Sequence, residues 1–254
     1  HTGVAPRMLR QPNQWTLCIT CHAGSGADTN VVEGVYIPTN KGLRGGGFTN
    51  ALMDVTRSGT PVTAAITSKH SIDGSSVTSW GGGPINTSPS YGNTITLECS
   101  NCHNPHGNGH YRILRARPLE GYGSSDISVL DEEDPKIYEI TYLASKFRDV
   151  SYAPDNIGDW CAQCHTRYLA NTGSGSTSSG DSIFKFRHMT NGLADSCFSC
   201  HLSHGTTATM GVGSGAITWP DGTAGGGTNN SRLLPMNNRG ICLRCHSINS
   251  LITQ

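Results

Sequence analysis

The sequence predicts a loop-rich fold, mostly irregular, with a few short α-helices and minor β-strands and too little apolar material to build a core of its own. Three observations predict this. Only 35% of the 254 residues are apolar and 7% aromatic, against 32 glycines and 12 prolines. Helical or strand periodicity is sustained only over short stretches. The third is residues 99–107, CSNCHNPHG, whose Cys-x-x-Cys-His kernel recurs along the chain.

The kernel occurs at Cys18-Cys21-His22, Cys99-Cys102-His103, Cys161-Cys164-His165, Cys197-Cys200-His201 and Cys242-Cys245-His246, and these five copies use all ten cysteines. Cys-x-x-Cys-His is the signature of c-type haem attachment. Two thiols three positions apart can add to the two vinyl groups of one porphyrin, and the next residue supplies an axial imidazole to its iron. Structural zinc would want paired Cys-x-x-Cys units without the following histidine. The sequence therefore implies five covalently bound haems c, about 51 residues of chain for each. The fold is expected to be a multihaem cytochrome organised around a chain of stacked haems, with haem insertion coupled to folding.

Charge excludes several classes. Lys plus Arg equals Asp plus Glu at 18 each, with no basic stripe for nucleic acid. Two ionised propionates per haem would shift the loaded protein to roughly −5 oxidised and −10 reduced, and some arginines are expected to serve them. No run of eighteen apolar residues exists to span a bilayer. No signal peptide is present, yet c-type haem is attached outside the cytoplasm. His1 then reads as a processed N-terminus and the destination as periplasmic, outer-surface or extracellular.

In chain order, residues 1–17 read as an extended arm with no helical period, and 18–254 as a single pentahaem domain. Residues 31–98 read as loops with short strand pairs such as 94–98. Asn86-Thr87-Ser88 and Asn229-Asn230-Ser231 match a glycosylation pattern that is common by chance. Asp134-Pro135 and the following KIYEITYLASKF fit a capped helix, or a strand on the alternation of Tyr138, Ile140 and Tyr142. A helix is expected from Asn156 through the third motif to Asn171, followed by a flexible Gly/Ser loop, and a short helix closes the chain. The motif spacings of 81, 62, 36 and 45 residues describe a repeated motif and not a repeated fold.

Eleven histidines are present. His22, His103, His165, His201 and His246 are proximal ligands, which leaves His1, His70, His106, His110, His188 and His204. Five irons need five sixth ligands, so every haem can be bis-histidine with one histidine over. Six fixed ligands suit electron passage, whereas substrate chemistry needs an open position; no catalytic residue is assigned. His106 and His204 lie three residues past a proximal histidine and precede a glycine. Three residues cannot wrap round a porphyrin, so as ligands they serve a neighbouring haem; otherwise they meet propionates or solvent. His70 and His188 stand in polar loops and are surface histidines unless the ligand count recruits them. His110 is the spare, a donor behind a ligand.

LECSNCHNPHG followed by YRIL, then DWCAQCHT, FRH, CFSCHLSHG and RGICLRCH, resembles in order the filament-forming multihaem cytochromes of the OmcS/OmcE type. The resemblance covers residue 60 to the end, and extends back toward Met8. It implies a secreted homopolymer of head-to-tail subunits with haems stacked within and between them. Residues 1–17 would be the arm that contacts the next subunit, with His1 ligating a haem of that subunit, the one on Cys197, Cys200 and His201. Extended at ~3.3 Å per residue, such an arm reaches up to ~55 Å. Relatives of this type carry four or six haems; this chain looks like the six-haem pattern without its first motif.

The function expected from the sequence is extracellular long-range electron transfer through a polymeric bis-histidine cytochrome, passing electrons to external acceptors or other cytochromes. The alternatives are a monomeric periplasmic pentahaem shuttle and a multihaem reductase. Against the reductase, no motif replaces its proximal histidine by lysine.

Overall fold

The computed structural model describes residues 10–81, 92–119, 121, 126–128, 132, 134–143, 148–166, 196–211 and 231–244. Its α-helices are α1 (Gln14–His22), α2 (Cys99–Cys102) and α3 (Ile157–Cys161). The strands are β1 (Thr29–Asn30), β2 (Val35–Tyr36), β3 (Lys41–Gly42), β4 (Asn50–Met53), β5 (Val62–Ala65), β6 (Ser68–Lys69), β7 (Ser76–Trp80), β8 (Gly92–Thr96) and β9 (Gly205–Thr206). All pair antiparallel, in sheets of two or three strands. The loop-rich class with short helices and minor strands is what the composition implies. No described helix is long and apolar enough to cross a membrane.

The chain divides into two compact units. The first comprises His1–Thr20, Ser71–Ile137 and Val150–Ser199, the second Cys21–His70, Tyr138–Asp149 and Cys200–Gln254.

In the first unit, α1 begins at Gln14, inside the arm expected to run extended to residue 17. Asn13 explains the early start. Its side-chain oxygen accepts from the Thr16 N–H at 2.9 Å and its carbonyl from the Leu17 N–H at 3.2 Å, an N-terminal cap. β7 and β8 form a hairpin in the register Val77↔Ile95, with Ile95 and Leu97 buried. The core gathers Tyr111, Leu114, Ala153 and Ile157, against which Cys102, Trp160, Cys161 and Phe198 pack. Trp160 keeps its indole N–H satisfied on the Arg115 carbonyl at 2.7 Å. α3 stops at Cys161, short of the helix expected through the motif. The next residues continue as single turns, with Cys164 N–H on Cys161 O at 3.2 Å.

In the second unit, β4 alternates: Ala51 and Met53 point inward with Leu202, while its partner β5 is exposed throughout. Ala208, Met210, Leu234 and Ile241 form a second cluster, which shares Val55 with the first. Residues 138–142, open between helix and strand in the sequence, are extended. Arg44 N–H donates to Tyr138 O at 2.9 Å and Ile140 N–H to Gly42 O at 2.7 Å. The two-residue alternation of Tyr138, Ile140 and Tyr142 was the informative signal.

Candidate functional site

Each described motif sits on a helical turn. α1 carries Cys18 and Cys21, α2 carries Cys99 and Cys102, and a 3-10 turn over Cys197–Ser199 opens the fourth motif. Residues three apart on such a turn share a face, so each thiol pair can reach one flat ligand. No disulfide ties up the nine described cysteines. Cys245 lies outside the described residues, as do His246, His1 and His188, and the two glycosylation matches are not described in full.

In the first unit, thiols of successive motifs meet. Cys18 hydrogen-bonds Cys99, which draws the Cys18 thiol below its usual value and pushes Cys99 up. The Gln14 side-chain oxygen accepts from the Ser100 N–H at 3.3 Å, which seats α1 against the start of α2. Cys161 pairs with Cys197 in the same way: the bond raises Cys161 and lowers Cys197. Burial, with the Cys164 charge beside it, pushes Cys102 up to about 12. Thus the first motif touches the second, the second faces the third, and the third touches the fourth.

The imidazoles share one device. His103 Nδ1 donates to the Arg112 carbonyl at 2.9 Å, His201 Nδ1 to the Arg232 carbonyl at 2.8 Å, and His70 Nδ1 to the Ser203 carbonyl at 2.7 Å. A carbonyl only accepts, so Nδ1 carries a proton, and in the neutral imidazole Nε2 is the nitrogen that can act as a metal ligand. Such contacts fix the tautomer and ring plane of metal-bound histidines. His22 Nδ1 lies 3.2 Å from Thr29 Oγ1. His110 Nδ1 lies 3.2 Å from the Leu114 carbonyl and 3.4 Å from the Asn108 amide nitrogen, which itself donates to that carbonyl, so its tautomer is less firmly set than those of His103, His201 and His70. His106 is exposed, its N–H on the Asn104 side chain at 3.2 Å. His165 is half-buried, its N–H on Cys161 O at 3.1 Å. Burial lowers the His70 pKa, opposed by the Ser203 contact, which keeps the imidazole neutral.

The carbonyls that hold His103 and His201 arise from the same local structure. Arg112-Ile113 and Arg232-Leu233 are consecutive residues at positive φ, 49° and 53° in the first pair and 54° and 63° in the second. Side chains there cost about 1–2 kcal/mol per residue. The reversed chain turns its first carbonyl to the imidazole and its second to the residue after that histidine. Asn104 N–H donates to Ile113 O at 2.8 Å and Leu202 N–H to Leu233 O at 2.9 Å. The second and fourth motifs therefore repeat as Cys-His-x-x-His-Gly followed by Arg-Ile-Leu or Arg-Leu-Leu. The reading of a motif without a repeated fold missed this unit. Its signal was the shared Arg-(Ile/Leu)-Leu, which the different loop lengths obscure.

β6 and β9 pair Ser68↔Thr206 and Lys69↔Gly205, and the next step brings His70 opposite His204, with His70 N–H on His204 O at 3.0 Å. His70, expected in an isolated polar loop, directly follows β6 and lies beside another candidate ligand. The glycine after His204 is also explained. A Cβ on Gly205 would collide with the Gly47 carbonyl, and one on Gly46 (φ +77°) with the Gly205 carbonyl.

No family model matches the chain, and neither a curated protein nor a solved structure matches it.

Proposed function

We propose that the chain is a pentahaem c-type cytochrome that conducts electrons. The supporting observation is that backbone carbonyls accept a hydrogen bond from Nδ1 of His103, His201 and His70, so that in each neutral ring Nε2 is the nitrogen suited to iron. The paired thiols fit the same group, since the first two motifs each carry both cysteines on one helix, α1 for Cys18 and Cys21 and α2 for Cys99 and Cys102. The haems would supply reversible one-electron chemistry. The chain's residues anchor them through Cys18, Cys21, Cys99, Cys102, Cys161, Cys164, Cys197, Cys200, Cys242 and Cys245, and ligate them through His22, His103, His165, His201 and His246. His1, His70, His106, His188 and His204 complete the axial set. Motif-to-motif thiol contacts in the first unit support stacked haems in chain order.

The resemblance to OmcS/OmcE-type cytochromes extends this reading to a secreted head-to-tail filament, with His1 ligating a haem of the adjacent subunit. Such a contact is heterologous and does not close. His110 is the competing fifth ligand, with its Nδ1 beside the Leu114 carbonyl. Electron microscopy of the haem-loaded protein tests the polymer: filaments support it, and discrete particles leave the periplasmic shuttle. Variants separate the ligands. His1→Ala should leave one high-spin haem and shorten or abolish filaments, whereas His110→Ala should do neither; the reverse outcome assigns the site to His110.

A further inference from the structure

His204 is held more completely than a solvent-facing histidine requires. Its N–H donates to the Gly45 carbonyl at 2.8 Å, and its own carbonyl accepts the His70 N–H at 3.0 Å. The backbone is thus clamped from both sides, by the loop Arg44-Gly45-Gly46-Gly47 and by the end of β6. The ring is held separately. Buried Phe48 stacks on it with centroids 4.7 Å apart and planes 28° from parallel. On the Gly45 side there is no room for a methyl group. A Cβ there would lie 3.0 Å from His204 Nδ1, 3.3 Å from Cε1 and 2.8 Å from Ser203 Oγ. Gly45 is absent from the residues at positive φ, so its backbone does not require glycine. The closeness of the imidazole does.

We propose that Gly45 and Phe48 are positioning residues that set the imidazole plane of His204, and through it the electronic state of the iron that His204 ligates. This rests on the haem reading above and adds residues outside every Cys-x-x-Cys-His motif. Groups behind a ligand fix its orientation and tune the metal, and ligand orientation is among the levers a protein has on haem potential. Phe48 limits ring rotation by stacking, and Gly45 admits the ring edge at a distance where a Cβ would press on it. The first two glycines of the Gly-Gly-Gly run then have different tasks: Gly46 allows the backbone to cross Gly205, and Gly45 gives space to a ligand.

The test uses the haem-loaded full-length protein and its low-temperature EPR spectrum, in which the g-values of a low-spin ferric haem follow the angle between its axial imidazole planes. Three variants are compared: His204→Ala, Phe48→Leu, and Gly45→Ala combined with Ser203→Ala, which removes the hydroxyl so that the new methyl meets the ring. His204→Ala should convert one of five low-spin signals to high spin. Phe48→Leu and the Gly45→Ala pair should each leave five low-spin haems and shift the g-values and midpoint potential of that same haem alone. If His204→Ala leaves all five signals low-spin, the ligand assignment fails and the positioning role with it. If His204→Ala gives the high-spin signal but both other variants leave every g-value and potential unchanged, the ligand stands and the proposal is overturned. Should the Gly45→Ala pair not fold, Phe48→Leu decides, because it changes no backbone.

Discussion

Ile157→Ala should cost the first unit about 3–4 kcal/mol. Ile157 is 0% exposed, enclosed by Tyr111, Leu114 and Ala153, with Cys102, Trp160 and Phe198 packed against the same cluster. Truncation removes three carbon groups worth about 0.8 kcal/mol each in transfer free energy, and the cavity adds to that. The surroundings collapse poorly. Tyr111, Tyr152 and Phe198 are stacked in series at 6.5 and 6.4 Å, and Trp160 is fixed by its bond to Arg115. The estimate therefore lies in the middle of the ~2–5 kcal/mol found for such truncations. Guanidinium unfolding of the haem-loaded protein, followed by far-UV circular dichroism, should show a lower midpoint at unchanged slope. Leu119→Ala, at a residue 47% exposed, is the control and should move stability by less than about 0.5 kcal/mol. A loss under about 1 kcal/mol for Ile157→Ala would refute the claim that this cluster is the unit's core.

Gly46→Ala should unfold the second unit or cost well over the ~1–2 kcal/mol of its left-handed backbone, because the new methyl strikes the Gly205 carbonyl; thermal unfolding measures it. Thr206→Val should cost about 1–3 kcal/mol, since the fully buried hydroxyl donates to Leu234 O at 2.8 Å and accepts from Ala208 N–H at 3.2 Å. Carbon monoxide added to the reduced protein should leave the Soret band nearly unchanged, because the histidine count closes all five irons; a stoichiometric complex would return the reductase reading. The Glu139 carboxyl is held below its usual pKa by the Thr39 hydroxyl and Lys41 ammonium, so its stabilisation is present above the ordinary carboxylate range and fades as pH falls through the folded value. Acid titration of Lys41→Met should show less of that loss than the parent protein.

The motifs are legible because a Cys-x-x-Cys-His kernel constrains residue type and spacing together, and its five copies use all ten cysteines. The loop-rich class followed from composition. What stayed hidden was carried by backbone. The acceptors for His103 and His201 are carbonyls, which any residue supplies, and they face the imidazoles through a left-handed turn at Arg112 and Arg232 that side chains disfavour. Sequence propensity points away from such a turn. The pairing beside His70 stayed hidden because β6 has only two residues, too few for an alternation to register, and its partner β9 lies far along the chain. Residues 138–142 could not be decided for the opposite reason: their alternation is real, but they pair through isolated bridges such as Leu43↔Glu139.

The thiol contacts also bear on how five haems can repeat along a filament. In the first unit, the first cysteine of motif one meets the first of motif two, Cys18 with Cys99, and the first cysteines of motifs three and four, Cys161 and Cys197, meet likewise. Between motifs two and three it is the second cysteine, Cys102, that is acted on by Cys164. Cys102 also acts on Cys161, the first cysteine of motif three, so motifs two and three meet through both cysteines of motif three. If the chain polymerises head to tail, five haems give five junctions per subunit, counting the one between subunits. Two kinds cannot alternate around an odd number when every subunit is identical, so two adjacent junctions must share a kind. A filament structure resolved at the level of haem planes checks this directly. Strict alternation with identical subunits would contradict it.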